Sequence, residues 1–416
     1  MRTARMLTAF LFCSGLAVVA QTPQALTWSE VREKFEMSNP NLRAAQIGIG
    51  ESKASEITAY LRPNPDITTT LDQFNPFTPN PYRPLANTLP FGSVNYLYER
   101  GNKRELRRES ARQATSLAEL SLADQERVLL FTLRSAFVQT LHAKAVLRLA
   151  ADNLSYYDQF LAVNRERLKA GDISQVDLDR LELQRVQYET DRESANVSLR
   201  TSKIQLLTLF NDRTQVDRFD VTGPYDAADR MQPLDEFRRI ALETRPDLKA
   251  ASQAIRKAHV DHDLAVANGT TDPTFSVDGG RNPPIPVYVG VSVMIPLKIH
   301  DRNQGEKLRT ELVITRNERL REASEAQVYG DVDAAYATVT SNLALLQSFK
   351  DRYLQQALRV RDTLSFAYQN GGASLLEFLG AQNDYRSVQL NYLNLIGSYL
   401  TAVSQLNLAA GREVIP

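Results

Sequence analysis

Cysteine is nearly absent. The single residue, Cys13, lies in the first twenty positions. An exported chain that loses this segment has no thiol, which suits an oxidising compartment. Net charge is also absent. Forty-nine basic residues balance 49 acidic ones, so no basic field for nucleic acid is expected. Histidine is scarce, with four in the chain. His259 and His262, with Asp261 and Asp263, place two imidazoles on one helix face. Without a cysteine partner, a solvated face outweighs a metal site there. His142 reads as packed in a helix seam. No phosphate loop, nucleophile elbow or zinc-protease motif occurs, so neither an enzyme nor a cofactor is expected. After residue 20 no run of about 18 apolar residues follows, so no transmembrane helix is expected. A hydrophobic content of 43% argues against disorder.

The N-terminus carries a targeting pattern. Arg2 and Arg5 precede the apolar stretch Met6–Ala20, and Val18-Val19-Ala20 supplies small residues before Gln21. Residues 1–20 are therefore expected to be a signal peptide. Phe12 precedes Cys13, where lipoprotein cleavage requires a small residue. An exported chain without a transmembrane helix is either soluble beyond the inner membrane or enters a membrane as β-strands.

The chain repeats itself. Thr27–Ala45 aligns with Pro233–Ala251, matching Glu30 with Glu236, Arg32 with Arg238, Pro40 with Pro246 and Leu42 with Leu248. Further on, Pro65 answers Pro273, Asn102 and Glu105 answer Asn303 and Glu306, and Gly171 and Ser174 answer Gly371 and Ser374. A period of about 200 residues is too long for a solenoid unit. It is a duplicated half-protein, with repeats expected over 21–222 and 223–416.

Each repeat reads as a leading helix, a strand hairpin, a long helix, a glycine turn and a return helix. In the second, Leu234–Ala267 is amphipathic. Val289, Val291, Val293 and Ile295 then alternate with Tyr288, Gly290, Ser292 and Met294 at period two. The segment Gly279–Pro284 reads as the hairpin turn. Asn303 and Glu306 read as a capping box on a helix that runs to Gln369, and another helix returns to Ala410. The first repeat gives helices Thr27–Leu61, Lys103–Ala170 and Gln175–Phe210, with strands Ile67–Phe74 and Ser93–Tyr98. Its hairpin loop is longer and holds prolines 76, 79, 81, 84 and 90. Asn211–Gln232 reads as an irregular belt.

The helices carry two apolar seams. In the last one, Leu376, Leu379, Leu390 and Leu393 form one stripe, and Tyr392, Leu395, Tyr399, Ala402 and Leu406 another. A two-stranded coil needs one seam, whereas a helix in a closed cylinder needs two. Four strands cannot close a barrel, and an open edge in lipid leaves backbone groups unsatisfied. Three chains supply twelve strands, and a dimer with eight would also close. The long helices favour the trimer, because an eight-helix ring leaves little lumen.

Particular motifs resemble the TolC family of outer-membrane efflux channels over residues 27–411. Ile295-Pro-Leu-Lys-Ile-His-Asp-Arg-Asn-Gln-Gly305-Glu306 is similar to the strand-to-helix motif of CzcC/CusC-type members, commonly PLPLFDRNQGE. It departs at Lys298, Ile299 and His300. Tyr98-Glu-Arg-Gly-Asn-Lys-Arg104 is its first-repeat counterpart, and Arg62-Pro-Asn-Pro65 is typical of the strand entrance. The resemblance implies a mainly α fold with membrane β. A homotrimer forms a twelve-stranded outer-membrane barrel continuous with a twelve-helix periplasmic barrel. It also implies a periplasmic adaptor that opens a closed tip, an inner-membrane pump of resistance-nodulation-division or ABC type, and contact with outer-membrane lipid. The expected role is the exit duct of a tripartite efflux pump. The alternatives are a type I protein-secretion duct and, from another class, a soluble periplasmic coiled-coil scaffold.

The same resemblance assigns the site residues. Arg167, Gly171, Ser174, Gly371 and Ser374 belong to the helical hairpin tips that meet the adaptor. Glycine supplies the positive-φ turn and serine caps the returning helix. Asp177, Tyr368 and Glu377 fall at the periplasmic gate. Threefold symmetry would make each carboxylate a ring, which attracts cations and raises carboxyl pKa values. Gly380 stands where some members carry a second acidic ring, and Ala373 where an arginine is found. Arg165 and Arg180 are candidate substitutes for that arginine. The basic run Arg100–Arg112 is expected just below the barrel, as a solvated rim or a contact for lipid phosphate.

Overall fold

The computed structural model describes residues 25–77, 81–85, 87–227 and 231–415. The expected signal peptide, Pro79 and part of the expected belt lie outside them. The described chain gathers into two compact units that cut across the repeats: one runs from residue 25 to 35 with 139–224, the other from 36 to 138 with the described residues from 225 to 415.

Helix α1 covers Trp28–Ser38 and α2 Pro40–Tyr60. Strands β1 (Asp66–Asp72) and β2 (Leu89–Leu97) follow. Helix α3 is Lys103–Ala170 and α4 Gln175–Leu209. The second repeat gives α5 (Leu234–Thr244), α6 (Pro246–Asn268), β3 (Thr274–Asn282) and β4 (Ile285–Met294). Helix α7 (Gln304–Ser348), α8 (Leu354–Gln369) and α9 (Leu375–Ala410) complete it.

Each leading helix is two helices rather than one. The breaks fall at Asn39-Pro40 and Arg245-Pro246. Proline disfavours the helical conformation in the residue before it, but is well suited to the first turn of a helix. Asn39 is extended, and its side chain accepts a hydrogen bond from Leu42 N–H. Arg245 has no capping oxygen. It ends α5 and turns its guanidinium inward instead.

The second long helix is also interrupted. Phe349–Tyr353 winds as a π-turn, with the two aromatic rings edge to face at 5.3 Å. Its first-repeat counterpart α3 runs unbroken for 68 residues, about 100 Å. The apolar spacing is continuous through the π-turn, so periodicity alone does not reveal it.

In the first unit, Val31 and Phe35 of α1 are buried, as are Tyr157, Phe160 and Leu161 of α3 and Leu178, Leu181 and Tyr188 of α4. Tyr157 stacks on Tyr188 at 4.6 Å and donates to the Leu181 carbonyl. The expected belt is partly ordered. Leu26 forms a parallel bridge with Val221, and both Lys144 and Lys203 pair with Asp220 beside it.

In the second unit, Val328, Val332, Ala335, Val339 and Leu346 of α7 meet Ile396, Tyr399, Val403 and Leu406 of α9, with Phe237 and Ile240 of α5. The three-four spacing places one stripe of each helix in the core. The other stripe of α9 is left partly bare, with Leu376 and Leu390 exposed.

All four strands form one antiparallel sheet in the order β1-β2-β3-β4, so both hairpins join edge to edge. The expected turn at Gly279–Pro284 is shorter than the spacing suggested, because β3 continues through both glycines to Asn282. A Cβ on Gly280 would lie 2.7 Å from the Pro90 carbonyl, and one on Gly279 3.2 Å from that of Tyr288. These glycines permit close strand pairing rather than a turn.

Candidate functional site

The sheet has two unlike faces. Across its register, Ile67 pairs with Val94, Val94 with Val277 and Val277 with Val291. This row is bare, with relative exposures of 77%, 48%, 55% and 82% in that order. One rung on, Tyr96, Phe275 and Val293 continue the same face. The opposite face carries Thr68, Ser93 and Asp278 in one row and Asp66, Asn95, Ser276 and Ser292 in the next. Alternation puts every second residue on one side, so the apolar band comes directly from the sequence pattern. An exposed band of this size in a soluble chain marks a contact surface. Here it spans four strands with polar residues behind it, as in membrane barrels.

A charged collar ties the sheet to the helices. Asn102 and Asn303 both adopt left-handed backbone at the start of a long helix, with φ of 54° and 62°. Asparagine tolerates this conformation better than most residues. Asn303 and Glu306 do not form the expected capping box. The Asn303 amide donates to the Ala265 carbonyl, and Glu306 accepts a forked pair from Arg309. The left-handed backbone turns the Asn303 side chain away from the helix it precedes. Lys103 is buried and donates to Asp272 at 2.5 Å and to the Thr270 carbonyl at 2.9 Å. Although burial opposes it, the Lys103 ammonium and the Arg100 N–H hold the Asp272 carboxyl below its ordinary range. Arg107 forks onto Glu99, and Arg104 and Arg108 lie over the Tyr60 ring at 4.2 and 4.7 Å. Much of the basic run is thus structural. Its signal was the spacing of Arg104 and Arg108, one helical turn apart, but their aromatic partner is remote in sequence.

The two hairpin tips are built alike. Gly171 and Gly371 have φ of +83° and +74°. Asp172 N–H donates to the Arg167 carbonyl, and Gly372 N–H donates to that of Ala367. These bonds close the same helix-ending motif twice. Ser174 and Ser374 then cap α4 and α9 with nearly equal dihedrals. No atom would meet a Cβ at either glycine, so backbone conformation alone selects glycine. Gly371→Ala is expected to destabilise its hairpin by ~1 kcal/mol. Gly380→Ala, within α9 and equally uncrowded, should instead stabilise by up to ~1 kcal/mol. Thermal melts of the two variants should shift in opposite directions.

The acidic pair is not equivalent. Glu377 accepts from both the N–H and the hydroxyl of Ser374 and completes a capping box. These bonds lower its pKa within one chain, opposite to the rise expected of a ring. Asp177 accepts only from the Ser174 hydroxyl, because its shorter side chain stops short of the backbone. Tyr368 is not displayed at the surface. It is 7% exposed and stacks on Phe378 at 5.2 Å, inside its own hairpin. Arg165 pairs with Glu182 across the first hairpin, and Arg180 is exposed. Arg167 lies at the end of α3, half-buried.

The histidines take ordinary roles. His262 bonds Thr310 at 2.9 Å, while Asp261 engages Ser110 and Lys257. Burial lowers the pKa of His142. Among the described residues no group of three or more potential ligands gathers, and no helix is long and apolar enough to cross a membrane.

The chain is thus rich in helix and mounts one antiparallel sheet that is bare and apolar on one face. No protein-family model matches the chain. The cobalt-zinc-cadmium resistance protein CzcC of Cupriavidus metallidurans is 24% identical over 396 residues, covering 90% of this chain and 87% of that protein. Among solved structures, CusC superposes with a TM-score of 0.78 at 17% identity, covering 92% of both chains. The open-state MtrE outer-membrane channel of Neisseria gonorrhoeae gives 0.76 at 15%, covering 93% of this chain and 89% of that one. VceC of Vibrio cholerae, an outer-membrane protein, gives 0.75 at 15%, with 92% and 96% covered. By fold, the chain is similar to these outer-membrane channels.

Proposed function

We propose that this protein is the outer-membrane exit duct of a tripartite efflux pump, built from three copies. The observation that carries this reading is the four-stranded sheet with one bare apolar face and two unpaired edges, β1 and β4. In lipid those edges need partners. Pairing β1 of one copy with β4 of the next closes twelve strands without changing the protomer. The unburied stripe of α9 supplies a second seam for neighbouring helices in the same ring. The two repeats, 21–222 and 223–416, then let a trimer imitate sixfold symmetry.

Solute passes through the duct without chemistry. An adaptor docks on the tips formed by Arg167, Gly171, Ser174, Gly371 and Ser374, and an inner-membrane pump supplies the energy. The name of CzcC, a cobalt-zinc-cadmium resistance protein, favours heavy-metal cations as cargo, and the pump is of resistance-nodulation-division or ABC type. Asp177, Tyr368 and Glu377 form the periplasmic gate, Tyr368 from inside its own hairpin. The purified protein should open cation-blocked channels in planar bilayers. Asp177→Asn with Glu377→Gln is expected to relieve the block by divalent cations at least severalfold, because two carboxylate rings lose their charge. Unchanged block removes both residues from the gate, and failure to form channels removes the duct.

A further inference from the structure

A cavity of about 390 Å³ opens where β2 passes into α3, lined among others by Arg62, Tyr96, Tyr98, Arg100, Lys103 and Arg104. Its cations divide into two kinds. Lys103 is committed to Asp272, and Arg104 to Glu105 and the Tyr60 hydroxyl. The guanidiniums of Arg62 and Arg100 make no hydrogen bond or ion pair among the described residues. The carboxylates that line the cavity are already taken, Glu99 by Arg107 and Glu105 by Arg104. The cavity thus presents two uncommitted planar donor groups, a geometry suited to phosphate oxygens.

Its position selects the source of that phosphate. Tyr96 and Tyr98 fall on the same sheet face as Val94, and Tyr96 is in register with Phe275. Tyr98 and Phe275 meet edge to face at 6.4 Å. The cavity therefore lies at the lower rim of the apolar band, where aromatic residues mark the level of lipid headgroups. We propose that it binds the phosphate of a membrane phospholipid between Arg62 and Arg100, with the acyl chains running into the apolar band past Tyr96 and Val94. This rests on the reading that the sheet sits in the outer membrane.

The test uses the full protein in detergent, loaded with phosphatidylglycerol and examined by native mass spectrometry. Wild type should retain the lipid, and Arg62→Gln with Arg100→Gln should lower retention about fivefold for each guanidinium removed. The Arg62→Lys, Arg100→Lys pair keeps charge without the fork and should fall between. Inorganic phosphate at equal concentration should leave the lipid in place. Displacement by inorganic phosphate would assign the cavity to a free anion and overturn the proposal. Equal retention by wild type and the glutamine variant would overturn it too. Both proteins should insert into planar bilayers with the same conductance. Normal insertion with equal retention sinks the lipid site alone, whereas a wild type that never inserts sinks the channel reading and this site with it.

Discussion

Val291→Arg should weaken membrane insertion by ~2–4 kcal/mol, the cost of arginine near the midplane of a barrel's lipid face. Val291 is the most exposed member of the apolar row and ends it on strand β4. The control is Ser292→Arg, one residue away on the opposite face. Period two sends that side chain to the polar side, so insertion should be nearly unchanged while single-channel conductance shifts. Partition into lipid vesicles measures the first effect and bilayer recording the second. Equal insertion of both variants would mean that the apolar face does not meet lipid.

The second large effect lies in the helical part. Arg245 is 3% exposed and forks onto Asp247, at 2.5 and 3.0 Å. It also reaches Asp331 at 2.8 Å and the Ala409 carbonyl at 3.4 Å. One side chain thus ties the break between α5 and α6 to α7 and the end of α9. Arg245→Ala leaves two carboxylates without their buried partner and should cost ~3–5 kcal/mol. Replacing Arg245, Asp247 and Asp331 together by Met, Leu and Leu should recover much of that loss, because three of the clustered charges leave together and Arg127 keeps Asp124.

The same cluster predicts acid sensitivity. Burial works against the Asp247 carboxylate, but hydrogen bonds from Arg245 outweigh it and lower its pKa. The folded state therefore binds this proton less readily than the unfolded chain. The stabilisation is fully present above the ordinary aspartate value of about 3.9. It is lost as pH falls below that value toward the depressed folded pKa. Thermal melts between neutral and acid pH should show a smaller acid loss in the triple variant than in wild type.

The legible parts of this protein follow short-range rules. The strand alternation at Val289, Val291 and Val293 and the glycine-serine spacing of both tips appear in the structure as read. The breaks at Pro40 and Pro246 were also visible residue by residue, yet continuous amphipathic spacing on either side masked them. The π-turn at Phe349–Tyr353 left no mark, because one extra residue per turn barely disturbs a three-four pattern. The glycines at 279 and 280 look like a turn until β2 is seen beside them.

The candidate site divides the same way. Gly171 and Gly371 are required by backbone conformation, a local property. The ring of Tyr368, expected at the gate, packs inside its hairpin against Phe378, a contact that spacing alone does not reveal. Arg100–Arg112 read as one basic run, but Tyr60, Glu99 and Asp272 divide it into committed and uncommitted cations.

From the sequence alone came the duplication, the kinds and order of elements, and an apolar strand face. Each rests on periodicity or on the conformational preference of single residues. Tertiary structure alone decided that the two hairpins share one sheet, that Arg245 joins three helices and that the Arg62 and Arg100 guanidiniums make no hydrogen bond or ion pair among the described residues. Those outcomes depend on which groups meet across long separations, and the pairing of a charge is set by its neighbours in space.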